Sequence, residues 1–243
     1  MFDSLIILSY FFIIIILQSI VGVGVLVLGT PFLLILDYNI IDIFFILLPI
    51  SMITSFSNLI IINLSNKSLE KSTYKQFKKF FIVCVPSIFI CLIILKIFNE
   101  FLNFKIIVAL VIILSLLLII FNEKINFKIN FFRISILSFV GIIHGLTNSG
   151  GTLMSLALSV KNKKNYARLN TTFFYLILAT FQYLLTLTIF FEDFIFPNSF
   201  KLILVLLFGV LVGNLVNYFL ESKTYKMIVN FLAVISAIIL IVL

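Results

Sequence analysis

Between His144 and Ser155 the chain reads HGLTNSGGTLMS, which sets its only histidine, three glycines and several short polar side chains inside an otherwise apolar run. An unbroken helix crossing lipid has no use for such residues at mid-depth. Their chemistry is that of a helix start. The first amide N–H groups of a helix lack intrahelical partners and carry partial positive charge, and glycine lets a ligand approach the backbone closely. Such an end holds an oxyanion without a fixed cation. His144, Thr147, Asn148, Ser149, Gly150, Gly151 and Thr152 are therefore candidate substrate-binding residues. The competing role for the glycines is close helix packing in a membrane.

The same residues lack the parts of an enzyme. A solitary His with no carboxylate or metal partner builds no acid–base dyad. There is no Ser/His/Asp constellation, no phosphate loop and no Cys/His/carboxylate spacing for a metal. No catalytic residue, metal or cofactor is expected. His144 has the intrinsic pKa to couple proton movement to transport, but packing against a backbone carbonyl is its simpler role. Cys84 and Cys91 lie seven residues apart on one predicted helix, about 10 Å. That is too far for a disulfide, and both read as buried fillers.

The elements that must position this cluster follow from composition. The 243 residues are 63% hydrophobic and 11% charged, with a mean hydropathy of +1.32. A soluble domain of that make-up would expose large apolar patches. A bilayer core takes about 20 apolar residues per helix, and such runs recur at 5–36, 40–63, 79–98, 103–121, 132–160, 166–191, 200–220 and 225–243. They are apolar on every face, unlike the alternating strands of a membrane barrel. The fold class is all-α and polytopic, in a cell membrane. Asp3 precedes the first run and no small-residue cleavage site follows it, so the run is expected to stay in the membrane. The net charge of +8 lies between the spans, where bases set topology and meet membrane lipids rather than nucleic acid. Tyr38, Tyr74, Tyr166, Tyr218 and Tyr225 fall near span ends as interfacial anchors.

Placing residue n beside n+126 sets QSIVGVGVLVLGTPFLL, from Gln18, over HGLTNSGGTLMSLALSV, from His144. Gln18 meets His144, Gly24 meets Gly150 and Asn39 meets Asn165. Gln18, Ser19, Gly22, Gly24 and Thr30 thus join the candidate site, and the remaining spans match in order. The halves are 1–121 and 134–243, joined by 122–133. If every run crosses once, nine bases fall on one side and eight on the other, no bias at all. If 132–160 folds back at its break, loops 64–79, 122–133, 161–168 and 221–226 share one side with fourteen bases against three. That asymmetry is what short loops obey. Applied to 5–36 as well, it makes each half a broken, re-entrant first segment plus three crossings, and the halves form an inverted repeat. Transporters place substrates between such repeats, where interrupted helices offer free backbone groups.

Asn170 and Thr171, with Thr172 and Gln182, place polar groups on a second-half span, as Ser51, Thr54, Ser55, Ser57 and Asn58 do in the first half. They line the pathway or bond neighbouring helices. Pro31 and Pro49 are expected at kinks or helix starts. None of the nine acids lies at the middle of a predicted span, which favours an anion or neutral solute over a cation.

The two glycine segments resemble those of the sulfite exporter TauE/SafE family of membrane permeases. Each half of that family opens with a G-x3-G-x-G-G-G motif followed by an apolar run and often a proline. Here the matching stretches are SIVGVGVLVLGTP, Ser19 to Pro31, and GLTNSGGTLMS, Gly145 to Ser155. The first keeps only Gly22 and Gly24 of its cluster, and the second has Asn148 where glycine is usual. The resemblance implies a multi-pass permease of the bacterial inner membrane for a small sulfur-containing anion such as sulfite or a sulfonate. Monomer and homodimer both fit. The alternatives are a non-transporting structural subunit and a transporter of a neutral solute.

Overall fold

A computed structural model describes residues 5–64, 71–98, 134–161, 164–193 and 200–225, with positions 103, 106, 107, 110, 227, 228 and 231. The expected spans 103–121 and 225–243 lie largely outside these. Every regular element among the described residues is helical. In chain order they are α1 (Leu5–Val21), α2 (Val25–Ile35), α3 (Ile40–Leu64), α4 (Lys71–Phe98), α5 (Ile134–Thr147), α6 (Gly150–Lys161), α7 (Lys164–Ile189) and α8 (Phe200–Phe219), with a 3-10 turn at Phe191–Asp193. Ile-rich sequences form helices only moderately well in water. In lipid, a chain that cannot pair its backbone with water must satisfy it internally, and the helix does so within each segment.

Four helices are long and apolar enough to cross a membrane: α3, α4 over Gln76–Phe98, α7 and α8. The runs 5–36 and 132–160 each divide into two shorter helices instead. Both double back. Tyr10 on α1 stacks its ring on Phe32 of α2 at 3.7 Å and donates its hydroxyl to the Leu28 carbonyl at 2.8 Å. In the second hairpin, Gly150 at the start of α6 lies against the Val140 carbonyl and His144 of α5. Asp37 ends α2 in the left-handed conformation at φ 58. Tyr38 N–H reaches the Leu33 carbonyl and Asp37 N–H the Leu34 carbonyl, the two bonds of a Schellman cap. Asn39 then caps α3 by accepting from Ile41 N–H. Pro31 and Pro49 both sit inside helices, α2 and α3, rather than at their starts.

The packing contacts orient the helices. Along α1 and α8, Gly209 faces Ile15, Gly213 faces Ser19, and Asn217 donates to the Ile20 carbonyl, so the two run parallel. Along α5 and α4, Gly141 faces Cys84 and Ser87 while Gly145 faces Ile88 and Cys91, again in parallel. Each crossing uses a pair of glycines four residues apart on one helix, letting the partner backbone approach where dispersion drives association. Cys84 and Cys91 are free and buried. Helices α4 and α7 are also parallel, with Phe77 on Phe173 and Phe81 on Phe181, and Lys96 donating to the Ile189 carbonyl. By contrast α3 and α7 are antiparallel, with Ser51 beside Tyr175 and Asn58 joined through Asn214 to Arg168.

The two hairpins touch inside the bundle, where Asn148 donates its Nδ2 to Thr30 Oγ1 at 3.3 Å. The distribution of side chains is the reverse of a soluble protein. The outer face of α8 exposes Ile203, Leu207, Phe208, Leu211 and Leu215, and α4 exposes Ile82, Ile90, Ile94 and Ile97, while Gln18, Asn58, Asn148, Asn170 and Gln182 are buried. So large an apolar exterior needs a lipid cover. The chain is an integral multi-pass membrane protein.

Candidate functional site

The first break begins at Gly22, whose φ of 97 is left-handed, with its N–H bonded to the Gln18 carbonyl at 2.7 Å. The second begins at Asn148, φ 60, with its N–H bonded to the His144 carbonyl at 2.9 Å. Each turns the chain so that a new helix starts two or three residues on. Asn is the side chain that tolerates this conformation best after glycine, so Asn148 serves where glycine was expected.

Once α1 stops, its last carbonyls need donors. Three elements of the second half supply them: Arg168 on α7 donates Nε and Nη2 to the Ser19 carbonyl, Asn217 donates to Ile20, and Tyr225 donates to Val21 at 3.0 Å. Tyr225 is thus a buried linker rather than an interfacial anchor. The α5 end is satisfied locally. Thr147 donates Oγ1 to the Ile143 carbonyl and accepts from Ser149 N–H, while Ser149 donates Oγ to the Thr147 carbonyl and Thr152 donates to that of Ser149.

The starts of α2 and α6 both lie in the middle of the bundle. Gln18 closes one amide of α2, its Oε1 accepting from Val25 N–H at 3.0 Å, while its Nε2 donates to the Ser51 carbonyl and to the hydroxyls of Ser51 and Ser55. Asn148 bridges the hairpins, donating Nδ2 to Thr30 Oγ1 at 3.3 Å and accepting from Gln182 Nε2 at 2.9 Å. Between the two helix starts stands Tyr175 of α7. Its ring covers Gly151, where a Cβ would sit 2.3 Å from Cε2. Its hydroxyl lies beside Ser51 and the Gly24 and Leu26 backbone without a hydrogen bond of good geometry.

The fourteen residues singled out in the sequence are all buried. Gln18, Thr30, Asn148, Gly150 and Gly151 surround this centre, and Gly22 and Gly24 shape the turn beside it. His144 packs behind the α6 start, 6.1 Å from the Tyr175 ring, beside the Asn148 backbone but with neither ring nitrogen in a hydrogen bond of good geometry. Ser19 faces Gly213 on α8, Asn170 donates back to Tyr166 on its own helix, and Thr171 Oγ1 has no partner. Tyr175 and Arg168 escaped the sequence reading. Tyr175 looks like any aromatic in an apolar run, and Arg168 counted among the loop bases at 161–168. Arg168 lies instead within α7, 8% exposed. A signal existed for its partners: Asn214 and Asn217 share one face of a helix that is apolar from Leu202 to Gly213.

Buried side-chain atoms without partners are rare in folded proteins. Here the His144 nitrogens, Tyr175 Oη, Thr171 Oγ1 and Gln182 Oε1 are all unpartnered, on helices α5 and α7 that frame the second break. The arrangement offers donors and helix starts to a ligand and no general acid–base pair. Among the described residues no three metal-ligating side chains group together. No curated protein and no solved structure matches the chain. Residues 6–240 match the family model described as Sulfite exporter TauE/SafE, and the chain belongs to that family.

Proposed function

We propose that this chain is a secondary permease that moves a small oxyanion, sulfite or an organosulfonate, by alternating exposure of the site between its two broken helices. The observation that carries this reading is the placement of Tyr175 between the starts of α2 and α6, with an unbonded hydroxyl. Two helix starts and a spare phenolic donor suit a ligand that accepts hydrogen bonds and carries negative charge. The family description narrows the anion to one containing sulfur. A purely structural subunit leaves those unpartnered atoms without a role.

Many transporters alternate access by moving one of two inverted repeats against the other around a shared site. The antiparallel pairing of α3 with α7, the reciprocal pairing of α1 with α8 and α5 with α4, and left-handed residues at Gly22 and Asn148 support an inverted repeat of 1–121 and 134–243. On this reading both hairpins are re-entrant. The end holding Lys78, Lys79, Lys164 and Lys223 faces the cytoplasm by its charge. No side chain at the centre exceeds 2% exposure, so the site is occluded in this conformation.

The test is radiolabelled sulfite flux into proteoliposomes. Saturable uptake is expected, competed by sulfonates and unaffected by a neutral solute. Folded protein that moves no anion above the empty-liposome rate would overturn the proposal.

A further inference from the structure

A second polar region lies one helical turn from the first break, on the base-rich side. Arg168 is buried there, and among the described residues every acceptor it reaches is neutral: the Ser19 carbonyl through Nε and Nη2, Asn214 Oδ1 through Nη2, and Asn217 Oδ1 through Nη1. A guanidinium has five N–H donors. Four are engaged, so one Nη1–H remains, together with the whole positive charge. Burying a cation is costly unless a counter-charge accompanies it. Capping the α1 carbonyls does not require that cost, since neutral Asn217 and Tyr225 cap Ile20 and Val21 beside it.

The surroundings provide a place for the missing negative charge. Arg168, Asn165, Asn214, Asn217, Tyr218 and Ile61 line a cavity of about 350 Å³. Asn58 accepts from Asn214 Nδ2 at 2.7 Å, while its own buried Nδ2 has no acceptor. A cation with no counter-charge among the described residues thus lines a cavity large enough for a small oxyanion and its remaining waters. We infer that the Arg168 cavity is an oxyanion-binding vestibule on the base-rich face, distinct from the central site between the helix starts. Arg168 supplies the charge and Asn165 an amide at the cavity wall, while Asn58 sits behind that wall, bonded to Asn214, where a carboxylate would offer Arg168 an internal counter-charge. The ligand group is the same whether it comes as a free oxyanion or as the phosphate of a lipid headgroup. The site stands whether or not the centre transports.

Calorimetric titration of the full-length protein in neutral detergent, with sodium sulfate and sulfite against chloride at matched ionic strength, tests this. Oxyanion binding is expected, with a component that weakens at least tenfold in Arg168→Met and in Asn58→Asp and is partly kept in Arg168→Lys. Wild-type binding by folded Arg168→Met overturns the inference. If that variant does not fold, wild-type binding by Asn58→Asp does so. Repeating the titration in nanodiscs of zwitterionic or anionic lipid identifies the source: competition by the anionic lipid assigns a headgroup, and equal binding assigns the free anion. Arg168-dependent binding without sulfite flux would retain this site and remove the permease reading. Flux without such binding would do the reverse.

Discussion

Replacing Gly22 by alanine tests the geometry of the first break most directly. At φ 97 an L residue pays about 1–2 kcal/mol for left-handed backbone. The added Cβ would also lie 2.8 Å from Thr172 Oγ1, 3.1 Å from Thr172 N and 3.2 Å from the Arg168 carbonyl. Thr172 cannot simply turn away, because its hydroxyl donates to that carbonyl at 2.8 Å, and two of the three contacts are backbone. Overpacking of this kind costs about 1–3 kcal/mol. The variant should therefore lose about 2–5 kcal/mol in total. Denaturant unfolding in detergent, followed by far-ultraviolet circular dichroism, measures the loss. Adding Thr172→Ala should return part of the contact cost and none of the backbone cost, a coupling readable in a double-mutant cycle. Gly24 provides the control. Its φ of 167 is extended, so Gly24→Ala carries no left-handed cost but only contact cost, against Gln18 N at 2.8 Å, Gln18 Cα at 3.1 Å and the Ile14 carbonyl at 3.1 Å. A Gly22→Ala protein as stable as the wild type would refute the left-handed turn.

Tyr175→Phe removes a hydroxyl that has no hydrogen-bond partner, so stability should change by less than about 1 kcal/mol. The KM for sulfite flux should rise about tenfold or more, because a hydrogen bond to a charged ligand is lost; unchanged flux would remove Tyr175 from the site. For topology, single cysteines at Lys79, Lys223 and Glu192, all exposed, are placed in a protein lacking Cys84 and Cys91. Impermeant thiol reagent should reach positions 79 and 223 from one side of the membrane and 192 from the other. Labelling of 79 and 223 from opposite sides would contradict the re-entrant hairpins.

Much of the membrane architecture is written in composition and spacing. The runs 40–63, 79–98, 166–191 and 200–220 correspond to α3, to the apolar part of α4, and to α7 and α8, because a bilayer imposes both a length and a polarity on whatever crosses it. The breaks at Gly22 and Asn148 were legible for a related reason. Glycine beside short polar residues within an apolar run favours a helix end, whereas the isolated glycines Gly141, Gly145, Gly209 and Gly213 pack against neighbouring helices. The Pro31 and Pro49 positions were less informative, since neighbouring helices can satisfy the backbone that proline leaves open.

What the sequence alone determined is the class of the protein, the place of its helix interruptions and the family whose glycine motifs it carries. Those are local or additive properties, set by hydropathy, backbone preference and short motifs. Only the tertiary structure decided that Gln18 caps α2 rather than lying free, that Tyr175 stands between two helix starts, and that Arg168 is buried against Ser19, Asn214 and Asn217 instead of resting in a loop. These contacts join residues as far apart as 149 positions in the chain. A pairing of that kind depends on which helices lie side by side and in which direction, and no periodicity within one helix encodes it.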